Sequence, residues 1–230
     1  LAHAPMEPPA AVASVTPEFC EIWAPVQDPQ SLIPMAEAVS GLTPAQIRIN
    51  VTLLGGAFGR KSKCDFAEEA VYLSKQLGAP VLVQWSREDD IRHDYFHSVS
   101  AQRLEAGLDE SGSVTAWRHR LCYPSIFSTF DASTREPVLL ELGLGAQNLP
   151  YAIPNLRLET GPIEAKVRIG WLRSVCNIFQ SFAINSFSDE IAHARGADPL
   201  DNLLQLLGSD REIDVAALGL EATENYPFET

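Results

Sequence analysis

The chain has 230 residues, 46% hydrophobic and 20% charged, with 30 acidic side chains against 17 basic ones and a formal net charge of -13. That apolar fraction excludes a disordered tail, and 14 Gly with 16 Pro exclude collagen-like or low-complexity sequence. The acidity argues against a nucleic-acid binder, which needs a basic face, and no apolar run approaches the roughly 20 residues of a membrane span.

Residues 18–23 predict a short strand with Phe19, Cys20 and Ile22 available for packing. Asp28-Pro29 then supplies an N-cap followed by proline at the first helical position, where a missing N–H costs nothing. The helix that follows carries Leu32, Met35, Ala36 and Val39 on one face and stops at Gly41. Ile47, Ile49, Val51 and Leu53 alternate with polar residues, the period of a half-buried strand. That strand leads into Gly55-Gly56-Ala57-Phe58-Gly59-Arg60-Lys61, and then a helix with Phe66, Ala70, Leu73 and Leu77 on one face, ending at Gly78. Residues 80–85 predict another strand.

Residues 98–123 predict a hairpin about Asp109-Glu110-Ser111-Gly112, and residues 124–162 a long irregular excursion. Residues 163–169 alternate again and enter Gly170-Trp171-Leu172-Arg173-Ser174-Val175-Cys176. Asn177 is placed to cap a helix to Arg195 that buries Phe179, Phe182, Ala183, Phe187 and Ile191, with Gly196 as its stop. Asp198-Pro199 starts one more helix. The succession of strand, Arg-bearing glycine loop, helix and Gly thus occurs twice, at 47–78 and 163–196. It points to an α+β fold, two-layer sandwiches of mixed sheet with helices on one face, in two related lobes. The expected divisions are a first lobe at about 1–95, the hairpin and excursion at 96–162, the loop and helices of a second lobe at 163–207, and an acidic tail at 208–230.

Charge is uneven. Residues 199–230 hold seven acids and one base, whereas 47–63 hold Arg48, Arg60, Lys61 and Lys63, and 165–188 hold Lys166, Arg168 and Arg173, both without an acid. Basic glycine loops before helix starts suit an anionic ligand, since Gly allows close backbone approach and helix N-termini favour negative charge. The plainer reading is that these cations pair with neighbouring acids. Neither a phosphate loop nor a GxGxxG fingerprint is present. His93 and His97, four residues apart, lack the helix and Glu of a zinc pair. Cys176, near Arg173 and a helix start, is a candidate reactive thiol, with a packed loop thiol as the favoured reading. Cys20, Cys64 and Cys122 are too dispersed for a zinc or iron–sulfur set. Glu88-Asp89-Asp90 reads as a turn or cap, and Asn50-Val51-Thr52 has the form of a glycosylation site but falls inside a predicted strand.

Six ordered segments resemble the molybdenum-cofactor subunit of the xanthine oxidase and aldehyde oxidoreductase family, closest to its isoquinoline 1-oxidoreductase beta, or membrane-bound aldehyde dehydrogenase, branch. They are Ala2-His3-Ala4-Pro5-Met6-Glu7-Pro8, Trp23-Ala24-Pro25-Val26-Gln27, Gly55 to Lys61, Gln84-Trp85-Ser86-Arg87-Glu88-Asp89-Asp90, Trp171-Leu172-Arg173-Ser174-Val175, and the helix 182–192 with Asp198-Pro199-Leu200. The resemblance implies that Gly55, Gly56, Phe58 and Gly59 lie against the molybdenum, the Phe58 N–H meeting an oxygen ligand of the metal. Arg173 would touch the cofactor and stand beside the substrate pocket, stabilising developing negative charge. The implied cofactor is molybdenum with molybdopterin cytosine dinucleotide. The implied reaction inserts water-derived oxygen into an N-heterocycle or aldehyde, and electrons leave through a partner iron–sulfur subunit.

Departures from that family are Ser62 in place of a substrate-orienting Glu, Leu172 and Cys176 in place of Trp and Gly, and His97-Ser98 in place of Arg-Pro. The family's catalytic Glu, in a Gly-Val-Gly-Glu segment, has no counterpart here, so the chain is read as the first cofactor-binding half, inactive alone and partnered by the C-terminal remainder of its subunit. Small-molecule substrate, no nucleic acid and no transmembrane segment complete the expectation. Relatives in this branch often carry a twin-arginine signal, which implies the bacterial periplasm or periplasmic membrane face, with the cytoplasm as the alternative. Two competing readings are a non-catalytic binding or assembly domain that retains the fold, and a simple phosphate-ligand binder.

Overall fold

A computed structural model describes residues 1–212; most of the acidic tail lies outside the described residues. The chain divides into two compact units, the first made of Leu1–His97 with Lys166–Arg173, the second of Ser98–Ala165 with the described residues from Ser174 onward. The second glycine loop, expected in the second lobe, therefore folds with the first unit.

In the first unit, β1 (Ala10–Val15) pairs antiparallel with β2 (Cys20–Ala24). A helix, α1 (Pro29–Ser40), then returns the chain to β3 (Ile47–Val51), parallel to β2. Next come α2 (Asp65–Leu77), β4 (Val81–Gln84), antiparallel to β1, and the short α3 (Arg87–Arg92). The mixed sheet has the order β3-β2-β1-β4. Ala11, Ala13, Cys20, Ile22 and Ala24 face α1 and α2, burying Leu32, Ala36, Phe66, Ala67, Ala70 and Val71. Strand β1 escapes a sequence reading because its small side chains give little hydrophobic contrast.

Local chemistry starts and stops these elements as expected. Asp28 accepts from the Ser31 N–H at 3.2 Å, Pro29 opens α1, and Gly41 and Gly78 end the two long helices in the left-handed region. Three faces differ from expectation. In β2 the inward phase is Cys20, Ile22 and Ala24, leaving Phe19 exposed. In α2 the buried stripe is Phe66, Ala67, Ala70, Val71 and Ser74, while Leu73 and Leu77 face solvent. Strand β3 ends at Val51, and Leu53, expected half-buried, is 98% exposed.

In the second unit, β5 (Ala101–Leu108) and β6 (Val114–Cys122) form the predicted hairpin. The Asp109 carboxylate accepts from the N–H groups of Ser111 and Ser113, each at 2.9 Å, and Gly112 has φ +82°. Within the stretch expected to be irregular lie α4 (Leu139–Leu142) and β7 (Asn155–Thr160), the latter parallel to β6. The sequence conceals β7 because its Arg157 and Glu159 outweigh Leu156 and Leu158. This sheet, β5-β6-β7, is also mixed, and like β1-β2-β3 it joins a hairpin to a parallel third strand.

Residues 163–169, expected as a strand, form only an isolated parallel bridge between Phe96 and Ile169; Ile163 and Val167 remain exposed, so the alternation has no apolar surface to cover. Helix α5 (Asn177–Arg195) ends at Gly196 as expected, but Cys176, not Asn177, holds the N-cap position. Its buried face is Gln180, Ile184, Ser188, Ile191 and Ala192, while Phe182 is exposed. Asp198 caps α6 (Pro199–Leu207), accepting from the N–H of Leu200 at 2.8 Å. No helix among the described residues is long and apolar enough to cross a membrane.

Candidate functional site

The first unit brings its two glycine loops into contact. Arg173 N–H donates to the Phe58 carbonyl at 2.8 Å, and the Arg173 guanidinium stands 5.0 Å over the Phe58 ring. A Cβ on Gly59, at φ +106°, would lie 1.7 Å from the Trp171 carbonyl oxygen. Only glycine permits this approach. Phe58 and Arg173 themselves take φ +59° and +44°, a region that costs non-glycine residues about 1–3 kcal/mol each and persists only where surrounding contacts over-determine it.

The floor of the site is equally specified. Gly59 N–H donates to Gln27 Oε1 at 3.1 Å, and Ser62 Oγ donates to the Gly59 carbonyl at 2.6 Å. Gln27, Phe58, Gly59, Ser62, Trp171 and Arg173 line a pocket of about 550 Å³. The N-terminal arm braces the first loop: Met6 N–H donates to Gly56 O at 3.0 Å, and Glu7 accepts from Gly55 N–H and from Lys61 Nζ, both at 3.3 Å.

Behind the loops lies a buried charged network. Arg60 and Lys61 are both fully buried. Arg60 donates twice to Asp65, at 2.9 and 3.1 Å, and its Nε lies 3.1 Å from Asp94 Oδ1, an ion pair by distance without the angle of a hydrogen bond. Its guanidinium also stands 5.3 Å over Trp85 and 5.1 Å over Tyr95. Burial opposes ionisation of Asp94, but hydrogen bonds from the His3 side chain and backbone, and from the Tyr95 N–H, hold its carboxyl below the usual range.

These pairings correct part of the anion-loop expectation. Arg60 and Lys61 are committed to carboxylates, Arg168 reaches Asp65 at 3.5 Å, and α2 begins at Asp65 with acids in its first turn. Arg173 is different: it is exposed, and no carboxylate among the described residues pairs with it. The backbone N–H groups of Gly56, Ala57 and Phe58 likewise have no acceptor among the described residues. Consecutive unengaged amides beside an unpaired guanidinium can bind the oxygens of an anionic group.

Of the residues singled out from sequence, Phe58, Gly59 and Arg173 line the pocket with Ser62, whereas Gly55 and Gly56 lie on the same loop but are held by Glu7 and Met6 and do not line it. Gln27, Trp171, Glu7, His3 and Asp94 carry no individual role in the sequence reading, because their contacts span large sequence separations. Other candidates lie elsewhere. His93 stacks edge-on against Trp85 at 6.1 Å, the His97 N–H donates to Leu1 O, and no group of three His, Cys, Asp or Glu side chains able to hold a metal occurs among the described residues. Cys176 is buried, and burial pushes its thiol up to about 12, the opposite of an activated nucleophile.

Residues 1–202 match the family profile of the molybdopterin cofactor-binding domain. The chain is 29% identical over 231 residues to a subunit of nicotinate dehydrogenase from Pseudomonas putida, covering 98% of this chain and 20% of that protein. It is 28% identical over 209 residues to the beta subunit of isoquinoline 1-oxidoreductase from Brevundimonas diminuta, covering 86% and 26%. The fold superposes on aldehyde oxidoreductase from Desulfovibrio gigas with a TM-score of 0.73 at 21% identity, over 87% of this chain and 22% of that one. The chain therefore spans about a fifth to a quarter of the length of these relatives.

Proposed function

Because the chain belongs to the molybdopterin cofactor-binding domain family, we propose that its paired glycine loops form one wall of the active site of a molybdenum hydroxylase acting on an aldehyde or N-heterocycle. The observation that carries this reading is the contact of Gly59 with the Trp171 carbonyl, which joins the loop of Gly56, Ala57 and Phe58, whose N–H groups have no acceptor among the described residues, to the loop that carries Arg173. Those donors fit a group rich in anionic oxygens, as molybdopterin dinucleotide is, and the cytosine form is the one proposed. When bound, the cofactor supplies the two-electron redox chemistry of hydroxylation with water-derived oxygen.

The residues themselves do the rest. The N–H groups of Gly56, Ala57 and Phe58 would hold oxygens of the cofactor, and Gln27 fixes the loop through the Gly59 N–H. Phe58 and Trp171 give the pocket an apolar wall that excludes water and strengthens nearby electrostatics. Arg173 stabilises negative charge developing on the substrate. Ser62, in place of a longer carboxylate, leaves room for substrates that need no acidic partner. An iron–sulfur subunit receives the electrons, the remaining length of the subunit supplies the second cofactor-binding half, and the enzyme works in the periplasm.

The test is the molybdenum and pterin content of the natural gene product, purified from its own host with its bound partners. About one molybdenum per chain, lost in Arg173→Ala and Phe58→Pro, is the expected result. A folded product with neither molybdenum nor pterin leaves a non-catalytic scaffold and sinks the proposal.

A further inference from the structure

His3 sits within the first unit with its side chain fully buried, and both ring nitrogens are engaged. Nε2 lies 2.5 Å from the Trp171 carbonyl oxygen, which can only accept a hydrogen bond. Nδ1 lies 3.0 and 3.1 Å from the two oxygens of Asp94. That carboxylate also accepts from the backbone N–H groups of His3 and Tyr95 and faces Arg60 Nε. The Nε2 N–H therefore donates to the Trp171 carbonyl, and Nδ1 is hydrogen-bonded to the Asp94 carboxyl group.

The carbonyl that Nε2 holds belongs to the residue whose oxygen would meet a Cβ on Gly59, two positions before Arg173. Arg173 adopts a left-handed backbone that needs external contacts to persist. Two ties reach this short loop: Arg173 N–H to the Phe58 carbonyl, and the Trp171 carbonyl to His3. Asp94 in turn anchors His3 to the network around Arg60, the residue directly after Gly59. One buried side chain thus connects the N-terminal arm to both loops.

We infer that His3 is a positioning residue: by bridging Asp94 and the Trp171 carbonyl through its two ring nitrogens, it fixes where Arg173 stands over the Phe58 loop. Its consequence for catalysis rests on the reading of this pocket as the cofactor site; its effect on Arg173 does not.

Two near-isosteres separate the two bonds. The amide nitrogen of His3→Asn falls near the place of Nδ1 and keeps the bond to Asp94, but nothing reaches Trp171. That of His3→Gln falls near the place of Nε2 and keeps the Trp171 tie. The natural gene product and both variants are compared for the rate of phenylglyoxal modification of Arg173, read by peptide mass spectrometry, and for the Mo(V) electron paramagnetic resonance spectrum after dithionite reduction. The expected result is a change of about fivefold or more in the Arg173 rate and an altered spectrum in His3→Asn, with His3→Gln within about twofold of the natural protein and its spectrum retained. Equal effects in the two variants, or none in either, overturn the inference. A natural protein without molybdenum removes the cofactor reading while the labelling comparison still decides the role of His3. Should His3→Asn fail to fold, the full chain labelled with 15N-histidine provides the test: a slowly exchanging Nε2–H on His3 is expected, and its absence overturns the inference.

Discussion

The contact between Gly59 and Trp171 gives a sharp prediction for Gly59→Ala. The new Cβ would lie 1.7 Å from the Trp171 oxygen, about half the separation at which non-bonded atoms rest. No side-chain rotation relieves this, because the obstacle is backbone. The second loop must withdraw, breaking the Arg173 N–H bond to Phe58 O and the His3 bond to Trp171 O. Two hydrogen bonds at about 1 kcal/mol each, with about 1–3 kcal/mol of strain for alanine at this φ, give a loss of about 3–5 kcal/mol. Gly78→Ala is the matched control. It also has positive φ, +63°, but nothing within 4 Å of a Cβ, so only strain of about 1–2 kcal/mol applies. Urea unfolding followed by tryptophan fluorescence measures both variants, since Trp23, Trp85 and Trp171 lie in the first unit. A cost for Gly59→Ala within about 0.5 kcal/mol of that for Gly78→Ala would refute the reasoning.

Four further outcomes are expected. Glu7→Gln weakens the carboxylate contact of buried Lys61 and destabilises by about 1–3 kcal/mol, measured as a shift of the urea midpoint. His119 is buried, and burial lowers its pKa from 6.5 to about 4, so it stays neutral in the fold; stability is full above about pH 6.5 and falls by about 3 kcal/mol as pH drops toward 4. The decline is compared with that of His119→Gln, which should lack this component. Asp94, held below the usual carboxylate range, contributes stability that is present above its unfolded value of 3.8 and lost as pH falls further; Asp94→Asn should flatten acid unfolding below about pH 4. Among the cysteines, half-buried Cys122 should alkylate first at pH 8, with Cys64 and Cys176, both pushed to about 12 by burial, protected until unfolding, as followed by peptide mass spectrometry.

What is legible along the chain is the chemistry that acts over a few residues. Asp28-Pro29, Asp198-Pro199, Gly41, Gly78 and Gly196 start or stop helices through bonds to their own neighbours, and the structure places each as expected. The glycine loops are visible because Gly and Arg cluster there. Helix faces are harder. Leu73, Leu77 and Phe182 keep helical period with buried residues yet face water, because the sheet covers a stripe rotated from theirs. Arg60 and Lys61 read as solvent-facing ligand groups by type, whereas Asp65, Asp94 and Glu7 draw them inside. His3 falls in a segment that carries the family resemblance, but its role is not legible there, since its partners stand 91 and 168 residues away.

The path of the chain has a consequence for how the site comes into being. The polypeptide leaves the first unit after His97, builds the second unit's sheet, and returns for only Lys166–Arg173 before departing again. The Gly59 and Trp171 loops therefore wait on more than a hundred intervening residues, a contact whose closure entropy makes it late in folding. During synthesis at about 5–20 residues per second, the first sheet has several seconds to form before Trp171 emerges from the ribosome. In that interval the Gly55–Gly59 loop is a half-built pocket with its amides open to water. The pocket read above as the cofactor site is thus completed late in the life of the nascent chain, after the residues of the second sheet have been synthesised.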